Sequence, residues 1–241
     1  MGLRTSKLNI GDRAAQMRQE ILNSALHEFS QRGFKGARVE SISARAKGNI
    51  ALIYYYFTDK RGLYLAVIQE SAKIAVQRGI AILDGPGSAG ERLLVFALAN
   101  FNRVLVQYQH EAIMFQEMYR DIKTIEDLAM NVFRPVFDKL RIVIHEGIDS
   151  GEFCELDWML VVNQMFGATT SYFRIGYFLN QAFCSEPITS ESVELRRKSI
   201  AHLLAKTVFN DPALGARLVE KALIERPMPS AEPYLDWRAS L

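Results

Sequence analysis

The chain of 241 residues is poor in cysteine, proline and strand-like alternation, and it has no long uncharged apolar run. Its two cysteines, Cys154 and Cys184, have neither the spacing of a zinc site nor the number for a disulfide framework. They read as small buried apolar residues in a reducing compartment. No stretch of about 18 apolar residues lacks charge, and no segment has the pattern of a signal peptide. Neither membrane insertion nor secretion is therefore expected, and the cytoplasm is the default location. The four histidines (His27, His110, His145 and His202) are scattered, and the pair His145-Glu146 has no second histidine at metalloprotease spacing. There is no glycine-rich phosphate loop and no serine or cysteine in a nucleophile motif. These absences argue against an enzyme, a metal site and a cofactor.

What is present begins with an uneven charge. Residues 1–60 hold ten Lys or Arg against five Asp or Glu, whereas residues 61–241 hold nineteen against twenty-two. A small basic module joined to a larger, mildly acidic body suits attraction to a phosphate backbone, and an ordinary solvated basic face would look the same. Apolar residues recur at helical spacing almost throughout, so the fold class is all-α. Met17, Ile21, Ala25 and Phe29 mark one face of a first helix from about Arg13 to Arg32, closed by Gly33. Short helices follow at about Val39–Ala46 and from Asn49 to Phe57, then a long one at about Lys60–Leu83 capped by Thr58 or Asp59. "DGPGSAGE" contains a Ser88/Glu91 capping box that opens a helix to about Gln109. Further helices are expected at about Glu111–Arg120, Ile125–Ser150 with a kink or break at Pro135, Trp158–Asn180 capped by Asp157, Ser190–Phe209, and Asp211–Ile224. This makes nine or ten helices. The proline-bearing tail "RPMPSAEPYLDWRASL" reads as extended, packed on the body through Tyr234 and Trp237.

The segment "ISARAKGNIALIYYYF" joins two short helices by a tight glycine-bearing turn, which fits either a helix-turn-helix or a plain helical corner. The basic charge and the three tyrosines favour the former, since tyrosine hydroxyls on a helix surface can donate to phosphates. Gly33-Phe34, Ile42-Ser43-x-x-Ala46, Ile53-Tyr54-Tyr55-Tyr56-Phe57 and Lys60-x-x-Leu63 together resemble the N-terminal domain of the TetR family of bacterial transcriptional regulators. The likeness is close over about residues 15–68. Beyond that it extends to helix count and to "HEGIDSGEF", which is similar to a turn in the family's C-terminal domain. The resemblance implies a helix-turn-helix DNA-binding domain at 1–60 and a ligand-binding and dimerisation domain at 61–241. It also implies a homodimer that binds a palindromic double-stranded operator and is released by a small apolar or aromatic effector.

By position, Asn49, Ile50, Ala51, Leu52, Tyr54, Tyr55 and Tyr56 would form the recognition helix, with Tyr55 and Tyr56 on phosphates and Ile50, Ala51 and Leu52 at base edges. The tyrosines would hold the helix to the core on one side and to the DNA backbone on the other. Lys60, Arg38 and Arg45 are further candidates for contact with DNA. Three departures from the family pattern stand out. The turn is Ala46-Lys47-Gly48-Asn49, so either Lys47 takes the left-handed conformation at about 1 kcal/mol or the turn shifts by one residue. Arg38 replaces an oxygen-bearing cap. The base-reading positions are apolar, which points to thymine methyl contacts and an A·T-containing half-site. These departures leave open a relative that has lost specific DNA binding, and the sign of regulation is likewise open.

In the larger body, Phe101, Met114, Phe115, Met118, Phe137, Met165 and Phe166 are either core or the lining of an apolar effector pocket. Arg103 and Arg174 are among the polar residues that would orient a ligand. Arg174 could meet a ligand carboxylate or form an interface or surface ion pair. The helices at about Trp158–Asn180 and Ser190–Phe209 correspond to the family's dimer interface, with Gly167, Ala168 and Ser171 permitting close approach.

Overall fold

The computed structural model describes residues 10–118, 122–183 and 188–239. Twelve α-helices occupy these residues in the order α1 (Ile10–Gly36), α2 (Val39–Arg45), α3 (Ile50–Phe57), α4 (Lys60–Leu83), α5 (Ala89–Val106), α6 (Tyr108–Met118), α7 (Ile122–Leu128), α8 (Arg134–Asp149), α9 (Trp158–Phe183), α10 (Ser190–Val208), α11 (Pro212–Glu225) and α12 (Glu232–Ala239). A π-helical turn, Ala129–Phe133, separates α7 from α8. Among the described residues the only β feature is an isolated bridge between Phe153 and Phe209. None of the helices described is long and apolar enough to cross a membrane.

Twelve helices replace the expected nine or ten for two reasons. The long helix divides at the π turn, and α8 restarts with Pro135 in its first turn, where the missing N–H costs no hydrogen bond. The tail, expected to be extended, forms α12, and Pro233 again falls in a first turn. There Tyr234 is buried, against Phe173 at 5.1 Å between ring centres. Other boundaries shift slightly. α1 runs past Gly33, but that residue has non-helical φ 64° and breaks the helix where its end was expected. Thr189 caps α10, in a capping box with Ser192. Cys154 is half-buried, not fully buried, with its Sγ 3.4 Å from the Thr207 carbonyl; Cys184 lies outside the described residues.

The chain divides into two compact units: Met1–Ala72 with Gln109–Leu128, and Lys73–Tyr108 with Ala129–Leu241. The first is larger than the expected head of residues 1–60, since it takes in the beginning of α4, α6 from Gln109 and α7. Its core is built on Ile21, Ala25 and Phe29 of α1, with Ile42, Ile53, Phe57, Leu63 and Tyr64, all buried. Phe29 meets Tyr64 edge-on at 4.9 Å, and the Tyr64 hydroxyl donates to the Ile113 carbonyl at 3.4 Å. In the second unit α5 is central, with α8, α9, α10, α11 and α12 packed on it. Eleven of its residues are buried, and Glu91, Arg92, Asn102 and Arg103 are half-buried on it.

Candidate nucleic-acid interface

The α2–turn–α3 corner owes its shape to a set of backbone bonds at residues 43–48. The Gly48 N–H donates to the Ser43 carbonyl at 3.1 Å and the Lys47 N–H to the Ala44 carbonyl at 3.2 Å. This is the Schellman arrangement, with Lys47 as the left-handed residue at φ 52°. Of the two alternatives for the turn, the structure thus adopts the left-handed lysine, without a shift. A Cβ on Gly48 would make a tight contact, 3.3 Å from the Met17 sulfur of α1. The Ser43 hydroxyl donates to the Gly48 carbonyl at 3.0 Å and ties the turn back to α2.

Asn49 then caps α3, its Oδ1 accepting from the Ala51 N–H at 2.9 Å, which leaves its Nδ2 facing outward as a donor. Along α3, Ile53 and Phe57 are buried one turn apart and anchor the helix. The tyrosines, expected to hold the helix to the core on one side and to the DNA backbone on the other, are mostly turned away from the core. Tyr55 is 80% exposed and Tyr54 is 49% exposed, while only Tyr56 is half-buried, with its ring 5.1 Å from that of Tyr55. The correction follows from helical spacing, because positions 53 and 57 take the inner face and turn 54 and 55 outward. Asn49, Ala51, Tyr54 and Tyr55 share the open surface with half-buried Ile50 and Leu52.

Arg38 and Arg45 are both exposed, at the N-cap and in the last turn of α2. As its chemistry requires, Arg38 makes no side-chain cap. Its N–H donates instead to Glu28 Oε1 at 3.2 Å, and Glu28 is also 3.4 Å from Arg32. Glu28 is buried and brings negative charge to the positive end of α2. Sequence reading missed it, though a signal existed: a carboxylate at the buried register of α1, directly before Phe29. Lys60 is half-buried at the start of α4, its Nζ 3.4 Å from the Lys35 carbonyl and 4.9 Å above the Phe34 ring.

The corner between α3 and α4 is strained. Thr58, a β-branched residue, has φ 67° and ψ −51° in a γ-turn closed by Asp59 N–H to the Phe57 carbonyl at 2.7 Å. Asp59, rather than Thr58, caps α4 by accepting from the Gly62 N–H at 2.7 Å. A Cβ on Gly62 would lie 2.0 Å from the Phe57 carbonyl oxygen, so only glycine lets the two helices meet there.

The candidate effector residues fall into separate places. Met114 is half-buried in the first unit. In the second, Phe101 is buried against Phe173 and Tyr172, at 5.1 and 6.3 Å. Phe137 and Phe166 pack together at 5.7 Å, with Phe96 6.2 Å from Phe166, and Met165 is buried. Arg174 is exposed. The side chains of Phe115 and Met118 lie outside the described residues. A cavity of about 1070 Å3 opens elsewhere in the second unit, along α4, α5 and α11, lined by Phe96 and by Arg103, one of the polar residues expected to orient a ligand, but by none of the apolar candidates nor by Arg174.

Residues 21–67 match the family model for "Bacterial regulatory proteins, tetR family". Over 152 residues the chain is 40% identical to the HTH-type transcriptional repressor NicS of Pseudomonas putida, covering 56% of this chain and 69% of that protein. It is 42% identical over 53 residues to the HTH-type transcriptional regulator RutR of Escherichia coli, covering 22% of this chain and 25% of that one. Among solved structures, a TetR/AcrR-family regulator from Thermobifida fusca superposes with a TM-score of 0.61 at 21% identity, covering 78% of this chain and 95% of that one. FadR of Bacillus subtilis, in complex with stearoyl-CoA, does so with a TM-score of 0.63 at 20% identity, covering 77% and 96%.

Proposed function

Because the chain belongs to the tetR family of bacterial regulatory proteins, DNA-binding transcription regulators and not enzymes, we propose that it is a repressor that binds a palindromic operator as a homodimer and leaves it when a small effector binds. The observation that carries this reading is the exposed face of α3, where Asn49, Ala51, Tyr54 and Tyr55 stand open on a helix anchored by Ile53 and Phe57. Residues 1–60 are the DNA-binding head and 61–241 the effector and dimer domain. In the major groove, Ile50, Ala51 and Leu52 meet base edges, and Tyr54, Tyr55, Tyr56, Lys60, Arg38 and Arg45 serve the backbone. An apolar reading surface favours thymine methyls and therefore half-sites containing A·T.

Dimerisation follows from the need to engage two half-sites about one helical turn apart. The surface offered for it is on α9 and α10, where Leu160, Ile175, Phe178, Leu195 and Leu203 are exposed and a Cβ on Gly167 would meet nothing within 4 Å. The repressor sense is supported by NicS, named a repressor, and effector binding by FadR, solved with stearoyl-CoA. Release is a population shift: the effector favours an arrangement of α4 in which the heads no longer match successive grooves. The test is to recover bound fragments from sheared genomic DNA and titrate the best one against salt. A recurrent A·T-containing palindrome with a steep salt slope is expected. Recovery without any shared sequence would overturn specific regulation, and half-sites contacted only at G·C pairs would overturn the thymine reading.

A further inference from the structure

The cavity of about 1070 Å3 is built from the second half of α4, one face of α5, α11 and the segment Arg226–Pro229. Ile74, Phe96 and Val106 form part of its apolar wall, and Asn100, Asn102, Arg103 and Arg78 also line it. Asn100 is only 6% exposed. Its Oδ1 accepts from Arg103 Nη2 at 3.1 Å, and since a guanidinium can only donate, this bond fixes which way the amide points. The Nδ2 of Asn100 is then left buried with no acceptor among the described residues. Asn102 is the complementary case: its Nδ2 donates to the Pro227 carbonyl at 3.0 Å, and its Oδ1 is buried with no donor among the described residues. Buried polar atoms without partners are rare, and each calls for an explanation, a bound molecule among them.

The charge points the same way. Arg92 is bonded to Glu146 and Lys221 to Glu91, whereas Arg78 is exposed and makes no ion pair among the described residues. The donors Asn100 Nδ2, Arg103 and Arg78 stand beside an apolar wall, with the acceptors Asn102 Oδ1 and Gln107 Oε1 further along and the lining carboxylates Glu91 and Glu225 paired with Lys221, and this pattern specifies a complementary molecule.

We propose that this cavity is the effector site, and that the effector is an organic carboxylate with an apolar body and a hydroxyl or amine donor. The carboxylate accepts from Asn100 Nδ2 and pairs with Arg103 and Arg78, the body lies on Ile74, Phe96 and Val106, and the donor satisfies Asn102 Oδ1. The proposal rests on the repressor reading. Ile74 and Arg78 belong to α4, which begins in the first unit and ends in the second, so an occupant acts on the helix common to both.

Calorimetry and thermal melting on the full chain, with ω-hydroxyoctanoate, octanoate and octanediol as probes, test this. ω-Hydroxyoctanoate is expected to bind and raise Tm, octanoate to bind more weakly, and octanediol to bind at least about tenfold more weakly for want of a carboxylate. Asn100→Leu and Arg78→Met, the latter at an exposed position, should each weaken ω-hydroxyoctanoate about tenfold while leaving operator affinity without probe unchanged. Equal affinity for diol and carboxylate, unchanged affinity in both variants, or no binding of any probe overturns the site. Operator binding assayed alongside separates the two readings. A bound operator with no carboxylate site leaves the repressor reading and removes this one; a carboxylate site lost in the variants, with no operator found, does the reverse.

Discussion

Tyr55 and Lys47 illustrate how much a single position carries in the reading head. The hydroxyl of Tyr55 is on a ring 80% exposed, so removing it should leave folding untouched. Tyr55→Phe is expected to weaken operator and random DNA alike by roughly two- to tenfold, the worth of one hydrogen bond, with Tm unchanged. Fluorescence anisotropy on both DNAs checks this, and a loss confined to the operator would mean that Tyr55 reads a base. Lys47 holds φ 52°, a conformation that costs a side-chain-bearing residue about 1–2 kcal/mol and glycine nothing steric. Lys47→Gly should therefore raise stability by about 0.5–1 kcal/mol after the entropy of the extra glycine, read as a higher urea midpoint at constant m-value. A lower midpoint would show that the lysine stem contributes packing that outweighs the strain. The departure was legible in the sequence as a conflict between Lys47 and Gly48 for one role. Which residue would yield was not, because the backbone bonds of the folded corner decide it, Gly48 N–H to the Ser43 carbonyl and Lys47 N–H to the Ala44 carbonyl.

At the scale of elements, the head depends on how α1 receives α2. His27 lies on α1 next to Glu28, and burial first, then Arg45 of α2, lowers its pKa below the ordinary 6.5. The unfolded chain takes up the proton near 6.5 and the folded one resists it, so the unfolded state binds more protons between the two values. Stability is whole above pH 6.5 and declines as pH falls from there towards the lowered folded value. Thermal melts between pH 8 and 5 should thus show a slope near and below pH 6.5 that His27→Gln reduces. An identical slope in the variant would assign the pH dependence to other groups. The helices themselves were readable where local chemistry decides them: Asn49, Ser88, Asp157 and Asp211 cap where they were expected to. α12 was not readable, since three prolines in the tail argue for extended chain until Pro233 is found in a first turn and Tyr234 in a pocket of Phe173 and Phe101.

For the whole molecule the decisive question is assembly. Phe178 and Leu195 are 69% and 67% exposed on α9 and α10, so charging them should spare the fold while breaking a dimer. Phe178→Glu with Leu195→Glu is expected to yield a monomer by sedimentation and to lose most operator affinity, because a single head keeps only half of the phosphate contacts. A dimer of unchanged stability would move the interface off these helices.

The sequence by itself determined the all-α class, the position of the turn and the family. These follow from local rules of capping, spacing and charge that act over a few residues. Tertiary structure alone decided that Lys47 takes the left-handed position, that Glu28 supports α2, and that the cavity is lined by Asn100, Arg103 and Phe96 and not by Phe101, Phe137, Met165 or Phe166. Helical spacing tells that Phe101 and Phe137 face inward, but packing against distant helices decides whether an inward face meets another side chain or an opening. That depends on α11 and the chain after it, more than 100 residues from α5.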